Sequence, residues 1–116
     1  MKRETSPFSV IAAGISWRVF GSRRAGEKLI AAMAADDEQN RMLAGMSLVK
    51  AGQRSFDFIE KKFESGEATP AVVRLLPDID GARARAVLNK IVAGDSVALA
   101  DAAQQCIDNL DRGKRP

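Results

Sequence analysis

Apolar residues recur along this chain at helical spacing, and short breaks divide the pattern into seven segments. Ser6-Pro7 reads as an N-cap followed by proline at the first helical position, and Gly21 reads as the stop, so the first helix is predicted over 7–20. A second starts near Ser22 and runs through Leu29, Ile30, Met33 and Ala34. Asp36 with Gln39 three residues on makes a capping box, and opens a third helix through Met42, Leu43, Met46 and Val49 to Gly52. Met33, Met42 and Met46 sit at core spacing, so packing is their default role. The fourth helix carries Phe56, Ile59 and Phe63 and closes at Gly66.

Thr69-Pro70 repeats the cap-and-proline start and opens a short fifth helix through Val72, Val73 and Leu76. Pro77 lacks an N–H and clashes one turn back, so it must kink or end that helix. Asp80-Gly81 makes a turn, a sixth helix holds Val87, Leu88, Ile91 and Val92, and Gly94 stops it. Asp95 or Ser96 caps a seventh with Leu99, Ala103, Cys106, Ile107 and Leu110. Residues 1–5 and 112–116 read as flexible ends around a single helical domain over 6–111.

Shifting the chain by 29 or 30 residues superimposes like on like. Leu29, Ile59 and Leu88 fall in register, as do Met33, Phe63 and Val92. In the alternate helices Ala12, Met42 and Val72 align, and so do Ala13, Leu43 and Val73, and Val19, Val49 and Ile79. Arg24, Arg54 and Arg83 line up too. Both helix types share one register, which predicts an all-α solenoid of three to four stacked helical hairpins. Gly14 and Gly45, inside helices and nearly one period apart, each cost about 1 kcal/mol relative to Ala, which close helix approach would explain.

The third helix, from Asp36-Asp37-Glu38 through Arg41, Leu43, Ala44 and Leu48 to Gly52, resembles a HEAT repeat of the short bacterial type. Ser96 to Leu110 echoes it, and the shorter second helices end near Glu64-Ser65-Gly66 and Ala93-Gly94-Asp95. The resemblance covers about residues 22–111, with 6–21 as a degenerate first helix. It implies a scaffold or adaptor that binds protein, as a free unit or as a small subunit of a larger assembly. It also implies that an Arg near the position of Arg83 pairs with a turn Asp, here Asp78 or Asp80. The corresponding earlier turns hold Gly21 and Gly52 instead.

Composition narrows the chemistry further. His is absent and Cys106 stands alone, so the sequence offers no disulfide, no usual zinc site and no His-based nucleophile system. The expectation is therefore no enzyme, no cofactor and no metal, in a cytoplasmic compartment. Asp36, Asp37 and Glu38 at a helix start suit capping and the helix dipole better than metal binding. Lys61, Lys62, Arg83, Arg85 and Lys90 are interleaved with Glu60, Glu64 and Glu67, and Tyr is absent. That argues against nucleic acid, although a phosphate-binding Arg/Lys face stays an alternative.

Charge is uneven. Residues 1–30 carry six basic and two acidic side chains, residues 31–60 three and five. The basic end surrounds Phe8–Phe20, whose polar positions are few. Thirteen residues with Arg18 inside are too short to span a bilayer. A buried cap, a protein or self-association face, an interfacial membrane helix and a targeting signal remain open readings, the packing helix favoured. Phe8, Trp17 and Phe20, with the Arg24, Arg54 and Arg83 ladder, are the predicted protein-interaction residues.

Overall fold

The computed structural model describes residues 7–113, which are all-helical with no strand. Eight helical segments follow one another: α1 (Pro7–Phe20), α2 (Arg23–Ala32), α3 (Glu38–Lys50), α4 (Gln53–Glu64), α5 (Pro70–Val73), α6 (Leu76–Ile79), α7 (Gly81–Val92) and α8 (Val97–Gly113). The chain divides after Ser55, within α4, into two compact units.

In the first unit, α1 begins at Pro7 as expected; the Ser6 cap and the ends 1–5 and 114–116 lie outside the described residues. Gly21 stops α1 at φ +67, a left-handed backbone that glycine adopts without a Cβ penalty, and its N–H donates to the Trp17 carbonyl at 2.9 Å. The Ser22 hydroxyl caps α2 by accepting from the Ala25 N–H. Asp37, rather than the expected Asp36, caps α3, its carboxylate accepting from the Gln39 N–H at 2.9 Å. The capping pair is one residue shorter than a capping box because α3 starts at Glu38. Helix α1 packs on α2 and α3, and α2 packs on α3. Val10, Trp17, Leu29 and Leu48 are buried among Ala13, Ala25, Ala32 and Ala44.

The second unit contains the proline break. The fifth predicted helix divides into α5 and α6 because Pro77, in the first turn of α6, has no N–H to continue the ladder from Val73. Asp80 caps α7, accepting from the Arg83 N–H at 3.0 Å, and Ser96 caps α8, accepting from the Leu99 N–H at 3.2 Å. Helix α8 continues through Arg112 and Gly113, past the expected domain end at 111. Arg85 holds this last stretch by donating to Asp111 at 2.8 Å. Contacts of α7 with α8 and α6, and of α5 with α8, enclose Val72, Val73, Leu76, Val87, Leu88 and Ile91.

Candidate interaction surface

Helix α1 is apolar on two opposite sides. Val10, Ala13, Gly14 and Trp17, at i, i+3, i+4 and i+7, form its buried stripe. Phe8, Ile11, Ile15 and Val19 form the other, and they are exposed. Phe8 and Phe20, at the two ends, are 81% and 78% exposed. A helix that is apolar all round normally sits in a core; here half of that surface faces solvent.

Trp17 lies on the inward side, 4% exposed, and its indole N–H donates to the hydroxyl of the fully buried Ser55 at 2.8 Å. It is thus a core residue, unlike the outward-facing Phe8 and Phe20 predicted with it. Arg54 follows in the same turn of chain. Its guanidinium donates to the carbonyls of Trp17 and Arg18 at 2.8 and 3.0 Å, in the last turn of α1; the Trp17 carbonyl also accepts from the Gly21 N–H.

Helix α3 turns a different side inward from the one its apolar spacing suggests. Asn40, Ala44, Gly45 and Leu48 are buried, whereas Met42 and Met46 are 57% and 50% exposed. The expected core role of these two methionines is therefore corrected; Met33 is half-buried. The physical reason is the close approach of α1. A Cβ added at Gly14 would come within 2.8 Å of the Ser47 Cβ and closer still to its hydroxyl. Only small side chains fit such a crossing, so the larger ones are left outside. The paired interior glycines in the sequence were the signal that could have located this face.

Between the two helices runs a groove of about 220 Å³, lined by Ile11, Ile15, Leu43 and Met46, with Arg18 and Lys50 at one end. Seven of the eight large apolar side chains that stand exposed among the described residues belong to α1 and α3; Val97 is the other. The face is therefore a concentration of apolar surface, whereas exposed apolar residues scattered singly would be ordinary.

The three arginines in register have three different environments. Arg24 is exposed and makes no ion pair with a described residue. Arg54 caps α1. Arg83 donates to Asp57 at 2.6 Å and Glu60 at 3.0 Å and lies 4.2 Å from the centre of the Phe56 ring. Its guanidinium thus reaches α4, and Asp80, the expected turn partner, accepts from its backbone N–H at 3.0 Å, while Asp78 is exposed.

Chemistry elsewhere is sparse. Cys106 is buried, and desolvation pushes its thiol above the ordinary range; nearby Arg74 opposes this and Asp78 adds to it. The hollow beside it, about 380 Å³, is lined by Arg74, Pro77, Asp78, Gln105 and Leu110, with the Arg74 and Asp78 charges offsetting each other. Among the described residues no three Cys, Asp or Glu side chains converge as metal ligands would, and no helix is long and apolar enough to cross a membrane. No family model, no curated protein and no solved structure matches the chain.

Proposed function

We propose that this protein is a non-catalytic interaction module, a small HEAT-like scaffold or adaptor that docks protein on the outward side of α1 and α3. The observation that carries the reading is the continuous exposure of Ile11, Ile15, Val19, Met42 and Met46 across two adjacent helices. Methionine and branched aliphatic side chains lining a groove suit recognition of an apolar helix face. The hairpin-repeat reading is supported by burial: Leu29, Ile59 and Leu88, one repeat apart, are each fully buried.

A phosphate-binding ladder draws less support, since Arg54 and Arg83 are engaged within the protein and Arg24 is left as the outward member. Peripheral membrane binding has a specific observation in its favour, the projecting Phe8 and Phe20 at the two ends of α1, with Arg18, Arg23 and Arg24 near the Phe20 end. A photoreactive phenylalanine placed at Met46, with Gln104 on α8 as the control position, separates the two. A protein adduct from position 46 and none from 104 is the expected result. No protein adduct at 46, together with flotation on anionic vesicles, would replace docking by the membrane reading.

A further inference from the structure

The exposed side of α3 carries a row at four-residue spacing, Glu38, Met42, Met46 and Lys50, all outward and winding about 120° around the helix from first to last. At 1.5 Å per residue the row spans about 18 Å. Its charge reverses from one end to the other. Asp36 and Asp37 are exposed beside Glu38, and the exposed Arg18 shares the groove end with Lys50. Neither Glu38, Lys50 nor Arg18 makes an ion pair with another described residue.

A row that runs acidic, apolar, apolar, basic is complementary to itself when read backwards. About a two-fold axis between Met42 and Met46, Glu38 of one copy meets Lys50 of the other, and Met42 meets Met46. We infer that the occupant of this surface is a second copy of the same chain, with the two α3 helices antiparallel and α1 of each copy widening the contact. This rests on the protein-docking reading above and names the partner. A foreign acidic helix would satisfy the Arg18 and Lys50 end and be repelled by Asp36, Asp37 and Glu38. An anionic lipid surface would meet the same conflict. The second copy satisfies both ends at once.

A contact of this kind buries on the order of 1,000 Å² in total, at the low end for specific association, so the concentration series runs from micromolar upward. Sedimentation equilibrium of the full chain at low salt tests it. The wild type is expected to dimerise. Glu38→Lys and Lys50→Glu each place like charges opposite one another twice and weaken dimerisation about tenfold or more. An equimolar mixture of the two variants restores pairing, because Lys at 38 meets Glu at 50, and so does the double variant with itself. Circular dichroism melts verify that each variant is folded. A mixture no tighter than either variant alone would overturn the antiparallel pairing. A wild type that stays monomeric overturns self-association, and the crosslink at position 46 then decides the wider reading. An adduct with a different protein leaves the docking surface standing, and no protein adduct removes both.

Discussion

The two units differ in how they finish their surfaces. In the second, α4, α7 and α8 keep their apolar residues mostly to one side, and three of the cations on the other are held in ion pairs. Arg83 holds Asp57 and Glu60, Arg85 holds Asp111 at 2.8 Å, and Lys62 reaches Glu67 at 3.4 Å. In the first, α1 carries no acidic residue at all and is apolar inside and out. Its neighbour α3 puts its small residues inward and its methionines outward. A domain that merely needs to stay folded and soluble looks like the second unit. The first exposes apolar surface without any gain in its own core, and the proposed docking role rests on that difference.

The sharpest way to break this contrast is at the inward side of α1. Trp17→Ala removes a buried indole and leaves the Ser55 hydroxyl without its donor, so it is expected to cost about 3–5 kcal/mol in urea-unfolding stability. A loss under 1 kcal/mol would show that α1 is not anchored through Trp17. Next comes the helix crossing. Gly14→Ala gains up to about 1 kcal/mol in helix propensity but drives a methyl into Ser47, for a net loss of about 1–2 kcal/mol. Adding Ser47→Gly is expected to recover much of that loss, and if it recovers none the close approach is not the cause.

The arginine ladder gives a graded comparison within one set of aligned residues. Arg54→Ala removes the side-chain donor shared by the Trp17 and Arg18 carbonyls and is expected to lower stability by about 1 kcal/mol. Arg24→Ala, with no described ion pair, is expected to change it by less than about 0.5 kcal/mol. Equal effects in thermal melts would contradict the division of labour. The smallest effect belongs to Cys106. Its buried thiol keeps its proton to higher pH in the folded than in the unfolded chain, so stability is retained below the ordinary thiol range of about 8.5 and falls as pH rises above it. Cys106→Ala is expected to flatten that alkaline decline in denaturant midpoint, while an unchanged decline would assign it to other groups.

Much of this was readable from local chemistry. Pro7, Gly21, Gly52, Gly66 and Pro70 mark ends that depend on a fixed φ or a missing Cβ, which no tertiary contact can override, and the helices end there. Leu29, Ile59 and Leu88 lie on strongly amphipathic helices, where one side alone is apolar, and their burial follows. The aligned set Ala12, Met42 and Val72 shows where such reading fails. Val72 is buried and the other two are exposed. On α1 and α3 apolar residues occupy more than one side, so spacing gives no direction, and the tight crossing at Gly14 decides which side faces in. The arginine register foretold position without role, because partners such as Asp57 and the end of α1 lie 23 to 37 residues away in sequence.

The central claim is that the outward strip of α1 and α3 serves contact and not the fold. Replacing Ile15 and Met46 together by serine, and measuring both the solution mass by sedimentation equilibrium and the melting temperature, tests it most directly. The account predicts loss of the dimer with melting unchanged to within about 3 °C. A dimer that persists, or a melting temperature that falls steeply, would contradict it.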